Sequence, residues 1–234
     1  MGKSRYAQCF CFFFNFFNFF VCSVSRNNYV SLHPTNLIET KTTMKKKILT
    51  TLLALLVCTL AGAQNVDKLY EEGKALYDAK NYKAAIAKLK PAAEKGHKKA
   101  QYRLGRCYDK GHGVAENDKL AVQWYSKAAA QGHAKSMYQL GKCYKNGEGV
   151  TKDIKKAVEL FKKAADKGNG DAQLALGKCY MKGKGVPADQ AKAVALFKKA
   201  VNNEKDGAEV VADLKKDAAE GDADAKKILK IVGK

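Results

Sequence analysis

Apolar and small residues recur along most of the chain with the spacing of amphipathic helices. Ala100, Leu104 and Tyr108 lie four residues apart, so a helix would place them on one face. The glycines within residues 111–113 end this stripe, because glycine adopts the left-handed conformation that closes many helices. A second stripe follows over residues 121–128. The pattern therefore predicts two short helices joined by a glycine-containing loop.

This two-helix pattern recurs at a fixed step of 36 residues. The blocks LGRCYDKGHGV, LGKCYKNGEGV and LGKCYMKGKGV begin at Leu104, Leu140 and Leu176. The second stripes keep the same step, as AVQWYSKAAAQG, AVELFKKAADKG and AVALFKKAV. One such hairpin cannot bury both of its faces, whereas stacked hairpins form a continuous core. The repeat thus predicts a solenoid of stacked helix pairs.

Polar residues mark the helix starts in each unit. Asn117 is predicted to be the N-cap of a second helix, with Asp153 and Asp189 at the same repeat position. Another polar slot lies between the second helix of one unit and the first helix of the next. We interpret the residues of that slot as cap or turn residues: His97, His133 and Asn169.

Small and aromatic residues predict how the two helices of a unit pack. Gly105 lies beside Leu104, where a side chain would block the close approach of a second helix. Small alanines alternate with one large residue in the second helix. The aromatic residues there are assigned to one core slot: Trp124, Phe161 and Phe197.

The pattern A-x-Y-x-L-G-x-x-Y-x-x-G-x-G-V, followed by D-x-x-K-A-x-x-x-F-x-K-A-A-x-x-G, resembles the Sel1-like repeat over about residues 65–205. The resemblance implies an all-α fold, a right-handed α-solenoid of stacked antiparallel helix pairs, that acts as an adaptor in protein complexes. The predicted units are a degenerate tetratricopeptide-like hairpin at 64–97, Sel1-like repeats at 98–133, 134–169 and 170–205, and capping helices at 206–234.

Residues 44–63 have the three parts of a secretory signal peptide. Three lysines precede a short apolar run, and an A-x-A cleavage site ends at Ala63. A retained anchor is the alternative, but the run is shorter than the roughly 20 residues of a membrane span. Val57 is not the small residue that a lipoprotein signal would place before Cys58. We therefore expect a periplasmic or secreted bacterial protein, cleaved near Ala63 and without a lipid anchor.

Residues 1–43 precede this segment and contain the phenylalanine-rich run QCFCFFFNFFNFFVCSV. Because a signal peptide belongs at the N-terminus, we hypothesise that translation begins at Met44 and that residues 1–43 are a gene-model extension. The alternative is a Phe-rich membrane segment, although Asn15 and Asn18 interrupt its apolar character.

Residue types that carry chemistry form no catalytic set. Cys107, Cys143 and Cys179 share one repeat position. Stacked helices place such positions roughly 10 Å apart, whereas a disulfide needs Cα atoms within about 7 Å. We interpret these cysteines as small buried apolar residues, with a metal or redox role as the alternative. The recurring G-x-G-V loops indicate architecture and not phosphate binding. The prediction is a non-enzymatic protein without cofactor or metal.

The first helices of a solenoid line its concave surface, where ligands bind. Analogy with tetratricopeptide repeats predicts a groove rich in lysine, arginine and tyrosine, suited to acidic or C-terminal peptides. The alternative is that the tyrosines fill gaps between helices and the lysines are merely solvated. The predicted groove residues are Tyr70, Lys74, Tyr77, Lys99, Tyr102, Arg106, Lys135, Tyr138, Lys142, Lys145, Leu174, Lys178 and Met181.

The charge of the chain leaves more than one function open. The formal net charge is +20, and removal of residues 1–63 leaves +14. We predict an exported scaffold that binds a protein or peptide through the groove. One alternative is a binder of an anionic polymer or membrane surface, although export argues against intracellular nucleic acid. Another is a cell-wall or β-lactam hydrolase of Sel1-like type, which no catalytic set supports.

Overall fold

The computed structural model describes residues 49–50 and 65–234 of the chain, and its regular structure there is helical. The predicted leader and residues 1–43 lie outside the described residues, apart from the helical pair 49–50. The helices of the main described range are α1 at residues 65–78, α2 Tyr82–Glu94, α3 Lys98–Lys110, α4 Asp118–Ala130, α5 Ala134–Asn146, α6 Ile154–Asp166, α7 Gly170–Lys182, α8 Gln190–Val201, α9 Gly207–Ala219 and α10 Ala223–Val232.

Each helix packs on the helix that follows it. The pairs α3–α4, α5–α6 and α7–α8 form three hairpins, and α4–α5 and α6–α7 join one hairpin to the next. The loops inside these hairpins span seven residues, whereas residues 79–81 alone separate α1 from α2. The predicted all-α solenoid of stacked helix pairs is confirmed.

Side chains cap the helices at the predicted positions. Asn117 Oδ1 accepts a hydrogen bond from the Leu120 amide at 2.9 Å, and the two equivalent aspartates cap α6 and α8 in the same way. In the other slot, His133 Nδ1 accepts from the Ser136 amide at 3.3 Å, and Asn169 Oδ1 caps α7. Both cap predictions are confirmed, because each side chain satisfies an amide that lacks a partner within its helix.

The core of each hairpin is an aromatic ring against a glycine. A Cβ placed on Gly105 would lie 2.7 Å from the Tyr125 ring, and one on Gly141 would lie 2.6 Å from Phe161. The predicted close approach at glycine is therefore confirmed. The assignment of the aromatic slot was wrong by one residue in the first unit. Tyr125 is fully buried at the position of Phe161 and Phe197, while Trp124 is only partly buried.

Successive units also meet through their glycine loops. Gly113 has a φ of +75°, and a Cβ there would lie 2.8 Å from the Tyr82 carbonyl carbon at the start of α2. Gly149 has a φ of +67° and touches the backbone at the start of α4. The loop of each unit thus rests on the second helix of the preceding unit, which explains the second glycine of each G-x-G.

The C-terminal helices close the last unit through a polar junction. Asp206 accepts hydrogen bonds from the Gly170 amide and from Asn169 Nδ2, both at 3.3 Å. Asn203 Nδ2 donates to the Gly168 carbonyl at 2.8 Å. Helix α9 then buries Val210 and Leu214, and α10 follows it with a largely charged outer face. The segment between α8 and α9 therefore packs against the start of α7.

Candidate functional site

A pocket of about 460 Å³ opens between α5 and α7, the first helices of two neighbouring units. We name it the α5–α7 pocket. Its apolar part consists of Tyr138, Ile154, Phe161, Leu174, Ala175 and Cys179. Its basic part consists of Lys145, Lys152, Lys178, Lys182 and Lys184. The pocket volume lies within the range of roughly 300–1,000 Å³ that is typical of ligand sites.

Charges are distributed unevenly along the pocket. Asp171 lies at the start of α7 beside Tyr138, whereas Lys145 and Lys178 follow about two helical turns later in their helices. Burial, and then the neighbouring Asp206 and Glu209, raise the pKa of the Asp171 carboxyl. Burial, and then the nearby Lys142, lower the pKa of the Lys145 ammonium. The Asp171 end of the pocket is therefore acidic, whereas the end with Lys145 and Lys178 carries a net positive charge.

One lysine of the pocket is already paired with a carboxylate of the same chain. Lys182 forms an ion pair with Asp224 of α10. The other four pocket lysines make no ion pair within the described residues. The pocket thus combines apolar surface with four ammonium groups that have no acidic partner in the part of the chain that the structure describes.

The structure brings four of the predicted groove residues together in this pocket: Tyr138, Lys145, Leu174 and Lys178. Five charged pocket residues were missed by the sequence analysis: Lys152, Asp171, Lys182, Lys184 and Asp224. Three lie in loops or in a closing helix, outside the first-helix positions on which the analogy relied. A comparison of charges at equivalent repeat positions would have singled out Lys152 and Lys184.

Three predicted groove residues are core residues instead of exposed ones. Tyr70 and Tyr77 are 7% and 8% exposed and belong to the core around Leu89. Met181 is 8% exposed and packs with the closing helices. These side chains fill the space between a terminal unit and its neighbour, so they offer little surface to a partner.

The remaining predicted groove residues are mostly basic, and two of them lie over the rings of Tyr70 and Tyr138. Lys99 lies 5.9 Å from the Tyr70 ring centre, and Lys142 lies at the same distance from that of Tyr138. Lys135 pairs with Asp206 at 3.6 Å, and Lys74 is 3.9 Å from Glu71. Arg106 and Tyr102 are half-buried. A cation within about 6 Å of a ring centre is attracted to the ring face, so Lys99 and Lys142 are weakly held near these rings.

The thiols and imidazoles of the described residues have structural roles. Cys107, Cys143 and Cys179 are free and buried, and burial raises the pKa of the first two thiols to about 11 and about 12. Burial, and then the neighbouring Lys98, lower the pKa of the His133 cap to about 4. Buried thiols of raised pKa are poor nucleophiles and poor metal ligands.

Within residues 49–50 and 65–234, no group of three or more histidine, cysteine or acidic side chains could hold a metal ion. None of the helices described there has both the length and the apolar character that crossing a membrane requires.

A solenoid of near-identical helical hairpins, with a pocket between two of its units, defines a helical-repeat protein. Comparison with known families identifies the repeat. The Sel1 repeat model matches residues 98–133, 134–169 and 170–204. Three Sel1 repeats therefore occupy residues 98–204, as the sequence analysis inferred. Proteins with Sel1 repeats are generally scaffolds for protein–protein interaction and are generally not enzymes.

Solved structures that are similar to the chain include two bacterial proteins. A Sel1 repeat protein from Oxalobacter formigenes is 33% identical over 62% of this chain and 58% of that chain, with a TM-score of 0.56. A protective antigen of uropathogenic Escherichia coli with an SLR fold is 27% identical over 74% of this chain and 39% of that chain, with a TM-score of 0.59. The chain thus spans less than two thirds of either relative. No curated protein matches it.

Proposed function

We propose that the chain is an exported scaffold that binds an acidic protein through the basic surface of its first helices. The observation that carries the proposal is the lysine-rich α5–α7 pocket, which opens between two first helices onto apolar side chains. Four of its five lysines form no ion pair within the described residues, so a partner carboxylate would not have to displace an existing ion pair at those four. The three Sel1 repeats add support, because proteins with Sel1 repeats typically bind proteins.

Two lysines of the same surface indicate which chemistry it accepts. Lys135 is paired with Asp206, and Lys182 is paired with Asp224. Both aspartates come from the C-terminal segment of this chain. Carboxylates are therefore compatible with the surface at two separate positions, and charge-assisted hydrogen bonds to lysine are among the stronger polar contacts in proteins.

Charge reversal on the two faces of the solenoid tests this function. A double variant, Lys99→Glu with Lys142→Glu, changes the first-helix surface. A control, Lys119→Glu with Lys155→Glu, applies the same charge change to exposed residues at one repeat position in second helices. We expect the first variant to retain its helical circular dichroism and to lose crosslinking to a partner that the control still captures. Equal capture by both variants would contradict the proposal.

Export is the second part of the proposal and is supported by the sequence of residues 44–63. Mass spectrometry of the protein isolated from its native cell tests it directly. A mature N-terminus at Gln64 in the periplasmic or secreted fraction is the expected result. Peptides from residues 1–43 in the mature protein would contradict both the cleavage and the proposed start at Met44.

A further inference from the structure

The α5–α7 pocket differs in charge from the corresponding place one unit earlier. The 36-residue step relates Lys145 to Asp109, Lys152 to Glu116 and Lys184 to Glu148. The opposite change occurs at the other end, where Asp171 corresponds to Lys135. The helices, caps and glycine loops are the same in both places, so the repeat architecture does not require either sign of charge.

A change in the core accompanies this exchange. In the first unit, the Tyr125 hydroxyl donates a hydrogen bond to Asp109 Oδ2 at 3.3 Å. In the second unit, Phe161 replaces Tyr125 and has no hydroxyl, and Lys145 replaces the carboxylate. The carboxylate that accepts this hydrogen bond is therefore missing from the second unit, where Lys145 and the buried Phe161 ring line the pocket.

These features match one kind of ligand. The apolar part around Tyr138 and Leu174 can take a large aliphatic or aromatic side chain. The lysines at the opposite end can take carboxylates, while Asp171 repels them from its own end. The pocket is thus suited to a segment whose acidic residues lie on one side of an apolar residue.

We propose that the α5–α7 pocket binds a protein segment that carries a large apolar side chain directly followed or preceded by two carboxylates. The proposal rests on the proposed function, because it places the partner contact within the basic first-helix surface. The four lysines that form no ion pair within the described residues provide the charge recognition, and the partly exposed Tyr138 and Leu174 provide the apolar recognition.

Peptide binding to the full chain tests the proposal. The probes are two fluorescein-labelled peptides, each with one leucine and two adjacent glutamates. In one peptide the glutamates directly follow the leucine, and in the other they directly precede it. We expect one of these to bind at physiological ionic strength. Replacing both glutamates with glutamine, or the leucine with serine, should each weaken binding about tenfold, since each change removes a charge-assisted or apolar contact.

A repeat-guided variant supplies the protein side of the test. Lys145→Asp with Lys184→Glu installs the residue types that the preceding unit has at these positions, so the fold is expected to accept them. The matched control, Lys163→Glu with Lys199→Glu, makes the same charge change at exposed second-helix positions. We expect the pocket variant to lose at least about tenfold in peptide affinity and the control to bind as the parent chain does.

Three results would overturn the proposal. One is equal binding of the leucine and serine peptides, which would mean that charge alone is recognised. Another is unchanged affinity in the pocket variant. A third is tight binding of heparin with a steep salt dependence and no peptide preference, which would indicate an anionic polymer. If the peptides fail while Lys99→Glu with Lys142→Glu still abolishes partner crosslinking, the pocket assignment alone is wrong and the scaffold function stands.

Discussion

The contact between the Gly149 loop and the preceding unit predicts an unequal effect of alanine at two neighbouring glycines. Gly147 has a φ of +87°, and its nearest neighbour for a new Cβ is Lys152 Cβ at 3.4 Å. Gly149 also has positive φ, but a Cβ there would overlap the Asp118 carbonyl and lie 2.8 Å from the Lys119 nitrogen. Alanine is strained at both positions, and at Gly149 it also collides with backbone.

The magnitude follows from these two contributions. The left-handed conformation costs a residue with a Cβ about 1–2 kcal/mol, so Gly147→Ala should lower the free energy of unfolding by that amount. Overpacking against atoms that cannot move costs a further 1–3 kcal/mol or so. Gly149→Ala should therefore destabilise the chain by about 2–5 kcal/mol, and the difference between the two variants should be about 1–3 kcal/mol.

Urea denaturation of the full chain, followed by helical circular dichroism, measures this difference. The denaturant slope should be compared first, because repeat proteins can lose cooperativity when an interface between units is weakened. Gly147→Ala serves as the internal control, since it shares the loop and the backbone strain. Equal destabilisation by the two variants would refute the view that the second glycine of the loop is required by the neighbouring unit.

Three other results are expected. Asn117→Ala should lower the free energy of unfolding by about 1 kcal/mol in urea denaturation, because the Leu120 amide loses its cap. The His133 cap has a pKa below its unfolded value, so stability should be complete above the unfolded pKa and should fall with pH toward about 4. His133→Asn keeps the cap, as Asn169 does in α7, and should flatten that pH dependence. Alkylation with mass-spectrometric readout should leave Cys143 unmodified until urea unfolds the chain, because its thiol is buried.

The periodic features of the fold could be predicted from the sequence because packing and capping are local and repeat exactly in register. The N-cap at Asn117 and the glycine at position 105 each leave a signal within a few residues. The aromatic slot was misassigned because Trp124 and Tyr125 are adjacent, and a helical stripe three or four residues wide admits either one. The 36-residue step relates Tyr125, and not Trp124, to Phe161, and the structure shows that the Tyr125 ring faces Gly105.

The candidate site was less predictable because it combines residues that are distant in sequence. Asp224 reaches the pocket from α10, and Lys184 from a loop. Positions near the ends of the solenoid also differ from interior ones. Tyr77 is buried because the His112 loop packs on it, with the Tyr77 hydroxyl 3.1 Å from His112 Nδ1. The analogy with tetratricopeptide repeats treats all units alike, so it could not predict that Tyr77 is buried.

The seating of each glycine loop on the preceding unit has a consequence for how such a molecule can change in length. Removing residues 134–169 as one block would bring the Gly185 loop onto the start of α4, where the Gly149 loop now lies. The contact between the two units would form again in the same way, and the protein would shorten by roughly 10 Å. Gain or loss of a whole 36-residue unit would therefore preserve the contacts between units, whereas the insertion of a few residues inside one loop would separate two units.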